Sequence, residues 1–501
     1  MKLDDDQQII VDELIQRYES KNFNTSQLLP AATGLGKSFC TIHVLKHFPT
    51  LQPFIICTKN TITMWENLCK QHNITPLAIM TYNKLSGGKN GQCDHQYLIR
   101  KDKEFRVTKK WKELKGVFIV CDESQALKNK TSLRHWALYT LLENNKRDKM
   151  LCLTASPIDK KTHWVSLYRQ LGLVHHKVMV KREGVHTHYD DYGLGDVFHA
   201  TPDKWLKRVH NRFDIKAKNV NDILMYLWNK FFRQKLVIPV VDPVYHHPIT
   251  GVKLNKTIKN YFATMDCQDK NMLQHAIQEL KQVGVIQKDD DVDIDLVNGN
   301  FCKVQLALMR LCRAKLNTVV RLSLNKLQKT TNKVIIACPF VEDQHILVKM
   351  LGDYHPLLLN GKTKDRDTLV ELFNQPNDHH RVLIMSNELG EGISLHDLDG
   401  GYPRTMYIIP SYHFLKMFQC SGRTYRRGMM SDTEVVIIYA NDGVVESILI
   451  NALAKTDIAS MVLWPGSGRV YPGDYPYEIE ECQNKEELKT KLECERQKVK
   501  K

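Results

Sequence analysis

No two of the thirteen cysteines in this chain are separated by just two residues. Paired ligands at zinc-finger spacing are therefore missing. Several cysteines (Cys40, Cys57, Cys69, Cys121, Cys152) fall in or beside apolar runs, as reduced structural thiols of an intracellular protein would. No apolar run approaches the roughly 18 residues that cross a bilayer, and the opening MKLDDDQQ is acidic rather than basic and then apolar. Neither secretion nor membrane insertion is expected. Acidic residues are in deficit, 56 against 71 Lys and Arg, so the formal charge of +15 favours a polyanionic partner such as nucleic acid. The run DDDVDID from Asp289 has the alternation of a calcium loop but lacks its key residues: Ile294 stands where that loop needs Gly, and Asn300 where it needs Glu. It reads as a solvated loop. His175, His176, His186 and His188 have no cysteines at finger spacing and read as a surface or nucleic-acid-facing segment rather than a zinc site.

What is present is a chain too long for one core. Between Ser26 and Leu153 the apolar runs QLLPA, PFIICT, LAIMTY, VFIVCDE and MLCLTAS alternate with helix-like segments. This pattern predicts an α/β, doubly wound parallel sheet. A second series runs KVIIACPF, HPLLLNG, RVLIMSN, RTMYIIP and EVVIIYA. The expected organisation is a first lobe over 1–172, a mostly helical insertion over 173–327, a second lobe over 328–455, and an extension over 456–501 that is mobile or partner-dependent.

Chemistry concentrates at the ends of the predicted strands, where parallel sheets bind ligands. Ala31-Ala32-Thr33-Gly34-Leu35-Gly36-Lys37-Ser38 lies between a strand and a helix. Its glycines let backbone N–H groups face phosphates, Lys37 reaches the β and γ phosphates, and Ser38 offers a hydroxyl to Mg²⁺. After VFIV stand Asp122 and Glu123. The first suits a magnesium ion and the second an attacking water. In QCSGRTYRR, Gln419, Arg423 and Arg426 are spaced by four and three, which puts them on one face of a helix. Arginines so placed can neutralise transition-state charge on a transferred phosphate. KWLKRVHNRFDIKAK mixes Trp205 and Phe213 with Lys204, Lys207, Arg208 and Arg212, a composition suited to phosphate contact and base stacking, or equally to a solvated amphipathic helix. IRKDKEFRVTKKWKELK, from Ile99, is similarly basic.

The set and order of these motifs resemble superfamily 2 helicases, and among them Swi/Snf-type translocases and the helicases of large nucleocytoplasmic DNA viruses of the poxvirus and African swine fever type. The resemblance runs from about Leu3 to Tyr439, outside much of the middle. It implies two tandem RecA-like lobes closing on ATP and Mg²⁺. It also implies that Gln7 reads adenine, that Thr58 and Lys59 of TKNTITMWENL, Thr81 of MTYNKL, Thr154 of LTASP and Ser386 of SNELGEGISL touch the nucleic-acid backbone, and that Gly392 and Gln419 line the nucleotide site. FFRQKLVIP near Arg233 resembles the entry to the second lobe, and LNGKTKDRDTLVELFN a further second-lobe segment. Gln125 departs from the family's His or Asp, so coupling between ATP and strand is expected to be wired differently.

The expected function is ATP-dependent movement on DNA or RNA by a monomer, with transcription or replication machinery as candidate partners and no membrane. If viral, it would work in host cytoplasm, a viral factory, the nucleus or the virion. Two other readings stay open: a double-strand translocase that never unwinds, and a nucleotide-gated binding subunit of a transcription complex. A pure switch has no need of the complete hydrolytic set.

Overall fold

The computed structural model describes residues 3–20, 26–31, 35–88, 91–129, 131–143, 149–154, 163–171, 226, 244–287, 299–387, 393–410, 417, 420–441, 446–450, 475–480, 485–487, 489–490 and 492–493. The chain divides into two compact units: Met1–Val241 with Asp457–Ser467, and Asp242–Thr456 with Gly468–Lys501.

In the first unit, α1 (Asp5–Glu19) precedes β1 (Ser26–Pro30), α2 (Lys37–His47), β2 (Gln52–Cys57), α3 (Ile62–Gln71), β3 (Ala78–Thr81) and α4 (Tyr82–Leu85). Then come β4 (Leu98–Lys101), β5 (Glu104–Val107), α5 (Lys109–Glu113), β6 (Val117–Asp122), α6 (Leu133–Glu143), β7 (Lys149–Thr154) and α7 (Trp164–Gln170). The five apolar runs form one parallel sheet in the order β1-β7-β6-β2-β3. Strand alternation decides which residues face each side. Leu28, Phe54, Ile56, Ile119, Met150 and Cys152 pack into one core; Leu29, Ile55, Phe118, Val120, Leu151 and Leu153 pack into the other. A sheet covered on both faces needs strands that are mostly apolar, and these are, with Gln27 of β1 a buried exception. The basic stretch from Ile99 folds as the antiparallel hairpin β4–β5 and α5, and Trp111 within it is core, not an exposed stacking ring.

The second unit contains β8 (Lys256–Ala263), α8 (Cys267–Gln282), α9 (Phe301–Arg313), α10 (Leu316–Lys329), β9 (Lys333–Ala337), α11 (Val341–Met350), β10 (Leu357–Leu359), α12 (Arg366–Asn374), β11 (Val382–Met385), β12 (Arg404–Ile408), β13 (Thr433–Ala440) and β14 (Tyr477–Ile479). Its parallel sheet has the order β10-β11-β9-β12-β13-β8-β14. Ile335, Leu383, Met406 and Ile437 face one core, and Ile336, Ile384, Tyr407 and Val436 the other.

Two expectations are corrected here. Residues 256–287 and 299–327 are not an insertion apart from the second lobe: β8 pairs with β13, and α8 and α9 supply Leu273, Leu280, Val304 and Leu311 to its core. Nor do residues 477–479 lie outside the fold as part of an extension, because β14 pairs with β8. Both strands escaped notice because they carry charge. Lys259 of β8 is balanced by Glu434 of β13 and Glu478 of β14, each at 3.0 Å, and Glu480 takes Arg321 at 2.7 Å. The acidic run, the four histidines, the basic cluster and the segment around Arg233 lie outside the described residues. All eleven described cysteines are unbridged. No described helix is long and apolar enough to cross a membrane.

One polar contact is fully desolvated. Lys315, between α9 and α10, pairs with Glu446, and neither side chain is exposed. Removing one partner strands a buried charge, whereas replacing both with apolar groups does not. Lys315→Met is expected to cost about 3–5 kcal/mol, and adding Glu446→Leu should recover most of it. Denaturant unfolding of both variants checks this, and a double variant no more stable than the single would refute it.

Candidate nucleotide site

β1 delivers the chain into the phosphate-loop sequence and α2 takes it away. Gly36 sits between them at φ +83°, and a Cβ there would come within 2.5 Å of the Gln7 amide nitrogen. The backbone angle calls for glycine, and a side chain there would also displace the Gln7 amide. Lys37 opens α2 and folds its ammonium back onto the Ala31 carbonyl at 2.8 Å. Ser38 follows in the same first turn, at a helix start that has no side-chain cap. An uncapped helix start presents N–H groups to an anion. Thr33 and Gly34 lie outside the described residues.

Of the two adjacent glutamines, Gln7 faces this loop. It is buried, completes a capping box with Asp4, and donates Nε2 to the Leu35 carbonyl at 3.0 Å. Gln8 is exposed and bonds to Asp12 instead.

At the carboxyl end of β6 the Asp122 side chain is almost fully buried. Trp65 Nε1 donates to its Oδ2 at 2.9 Å, and the Tyr82 hydroxyl donates to its main-chain oxygen at 2.8 Å. Burial first, and then the neighbouring Glu123 charge, push the Asp122 carboxyl up to about 6, against the opposing pull of the Trp65 hydrogen bond and of Lys37. Glu123 adopts φ +54°, in the left-handed region. That conformation costs a non-glycine residue about 1–3 kcal/mol. The Ala126 N–H, which donates to the Glu123 carbonyl at 3.0 Å, helps hold it there.

Gln125 joins two motifs. Its Nε2 donates to Glu123 Oε2 at 2.7 Å, and its Oε1 accepts from the Thr154 hydroxyl at 2.6 Å. Both ends of the amide are used, so the departure at this position forms a bridge from the β6 carboxylate to the end of β7. Thr154 is fully buried, and its hydroxyl serves this bridge rather than an exposed strand-binding surface. Thr58 and Thr81 stand at the ends of β2 and β3 on the same edge of the sheet. Thr81 caps α4 through the Lys84 N–H at 3.0 Å, Thr58 meets Thr61, and Lys59 is exposed.

In the second unit Ser386 follows β11 and is nearly buried. The helical spacing proposed for Arg423 and Arg426 is corrected. The Arg423 N–H bonds three residues back to the Cys420 carbonyl, and the Arg423 carbonyl is taken by Leu395, so the helix stops and both arginines lie in the turn beyond it. Arg423 is only 3% exposed. Arg426 is half-buried and donates to Ser394 Oγ at 2.7 Å. Burial, then Arg426 and Arg404, depress the His396 imidazole to about 4, so it is neutral beside them. Gly392 and Gln419 lie outside the described residues, as do Lys204, Lys207, Arg208 and Arg212.

Sequence reasoning missed Trp65, Tyr82 and Arg404. The first two sit within the motifs already singled out, but nothing in a linear pattern tells a side chain aimed at Asp122 from ordinary core. Arg404 lies in an apolar strand and spends its guanidinium on the carbonyls of Leu395, His396 and Tyr402, which pins the segment before the arginine turn.

Residues 17–182 match the SNF2-related domain, and residues 314–428 match the helicase conserved C-terminal domain. A solved structure, the Sulfolobus solfataricus SWI2/SNF2 ATPase core in complex with dsDNA, aligns over 93% of this chain and 94% of its own, at 15% identity and a TM-score of 0.35.

The raised Asp122 carboxyl has a consequence for stability. The folded state keeps this proton up to about pH 6, whereas an exposed aspartate loses it near 4. Stability therefore falls as pH rises through that window, and the loss is complete above it. Asp122→Asn is expected to abolish hydrolysis yet stabilise the nucleotide-free protein at neutral pH by about 1–2 kcal/mol, a gap that narrows toward pH 4. Thermal melts across pH check it; a variant less stable than the parent at neutral pH would overturn the burial argument.

Proposed function

Since the chain belongs to the Swi/Snf-like branch of the superfamily 2 helicases and is a nucleic-acid-dependent ATPase, we propose that it is a DNA translocase whose strand contacts gate hydrolysis through Gln125. The carrying observation is the hydrogen-bonded run Glu123–Gln125–Thr154. It ties the carboxylate that would activate water to a strand end on the edge that also holds Thr58 and Thr81. A shift of that edge on strand binding would be felt at Glu123 with no intervening solvent.

The donor set fits a magnesium ion. Asp122, buried and pushed toward protonation, gains most from a nearby cation, and Ser38 and Glu123 add further oxygen donors, the kind Mg²⁺ prefers. When bound, the ion would neutralise charge developing on the phosphates. The remaining steps fall to this chain's own residues. Lys37 would exchange the Ala31 carbonyl for a phosphate oxygen. Glu123 would take the proton of the attacking water. Arg426, less buried than Arg423, would supply positive charge to the transferring group.

DNA is favoured over RNA by the SNF2-related first domain, and the chain's net charge of +15 suits either. Likeness of the motif set to helicases of large nucleocytoplasmic DNA viruses supports a role in viral transcription, replication or repair, in host cytoplasm or a viral factory.

ATP turnover measured in parallel with single- and double-stranded DNA and RNA tests the reading. Duplex DNA is expected to stimulate most; stimulation by RNA alone would overturn the DNA assignment. Gln125→Leu removes the hydrogen bonds to the Glu123 carboxylate and from the buried Thr154 hydroxyl, at about 1–3 kcal/mol. It is expected to cut DNA-stimulated turnover roughly tenfold or more while basal turnover changes little. Equal loss of both would show that Gln125 supports hydrolysis generally and does not carry the coupling. Arg426→Ala should keep ATP affinity and lose about 10³-fold in stimulated hydrolysis; loss of affinity alone would assign Arg426 to binding.

A further inference from the structure

One group of metal-ligating side chains has no part in the nucleotide site. Cys312 lies near the end of α9, Cys338 directly after β9, and Asp343 in the first turn of α11. All three are buried in the second unit, and their ligand atoms lie within 4.8 Å of one another. We propose that Cys312, Cys338 and Asp343 form a structural site for a thiolate-binding divalent cation such as zinc.

The spacing fits. Tetrahedral zinc with Zn–S bonds of about 2.3 Å holds two sulfurs about 3.8 Å apart, and the two Sγ atoms stand 3.8 Å apart. Van der Waals contact between two thiols would account for that distance alone, but not for its surroundings. Arg313 donates to a single oxygen of Asp343, Oδ1, from Nε at 2.7 Å. Gln344 is fully buried and commits its amide nitrogen to the Cys338 carbonyl at 2.9 Å. Its Oε1 accepts no hydrogen bond among the described residues. That is an oxygen in need of a partner, beside the cluster, and a natural fourth donor.

Charge also closes. Two thiolates and a carboxylate against a divalent cation and the Arg313 guanidinium leave no net charge to bury. Binding exchanges two S–H bonds for two metal–sulfur bonds and releases both protons to solvent, with no oxidation. The ion would fasten α9, β9 and α11 together at the carboxyl end of a central strand. Sulfur ligands select zinc over the magnesium of the nucleotide site, so the two would not compete.

The test uses the full chain, stripped with a chelator under reducing conditions and titrated with Co²⁺. A thiolate-to-cobalt charge-transfer band saturating at one equivalent, displaced by zinc with release of about two protons, is expected. Cys267→Ser/Cys302→Ser, which removes two exposed thiols, should retain the band, and Cys312→Ala/Cys338→Ala should lose it. Should the latter fail to fold, Asp343→Asn keeps both thiols and should weaken cobalt binding by at least about tenfold, the lower end of what even an outer partner of a ligand costs. The site is overturned if the folded full chain shows no band, if the double alanine variant keeps it, if Asp343→Asn binds as tightly as the parent, or if mass spectrometry finds Cys312 and Cys338 joined as a disulfide in the protein as purified.

Discussion

A carboxylate at the end of a fully buried strand gives up its water, and Asp122 does so with the Trp65 indole on its Oδ2 and a main-chain hydrogen bond from Glu123 in return. The rest of the first unit answers to that cost. Parallel pairing brings the ends of β1, β2, β3, β6 and β7 to one edge. There Lys37 favours the ionised form of Asp122, Tyr82 fixes its main chain, and Glu123 is held in a strained backbone region with Gln125 against its side chain. Desolvation makes the aspartate a poor resting anion and so a good partner for a cation. The desolvation that costs stability is also what favours binding a cation.

The second unit handles buried charge differently. Lys315 and Glu446 cancel each other inside the core, while Arg404 spreads its charge over three main-chain carbonyls. Lys333, at the start of β9, does likewise on the carbonyls of Phe373 and Gln375, and burial holds its ammonium down to about 8. Cations satisfied by backbone oxygens are rigid and hold no anion in reserve. Arg404 anchors the segment whose Leu395 meets the arginine turn, while Arg426 itself is half-buried. The contrast separates charges that build the unit from those with chemistry left to do.

The described members of the candidate site fall into two groups. Lys37, Ser38, Asp122, Glu123, Gln125 and Thr154 gather at one strand edge through hydrogen bonds or adjacent strand ends. Arg423, Arg426 and Ser386 belong to the second unit, where the turn after Cys420 and the end of β11 carry them.

Continuous apolar runs determined ten of the strands and both parallel sheets, because a strand buried on two faces has few polar positions to confuse the pattern. The phosphate loop, the Asp–Glu pair and the arginine motif were equally legible, since each needs particular residue types at fixed separations. Tertiary structure alone decided the rest. β8 read as part of a mostly helical insertion and β14 as part of an extension until Glu434, Glu478 and Glu480 were found opposite Lys259 and Arg321. The arginines kept a helical spacing on paper, but Leu395 captured the carbonyl that would have continued the helix. Gln125 looked like a departure until Thr154, twenty-nine residues away, met its amide. In each case the deciding partner is distant along the chain and close only in space. Local pattern fixes what a segment can be, and the partner it meets on folding fixes what it becomes.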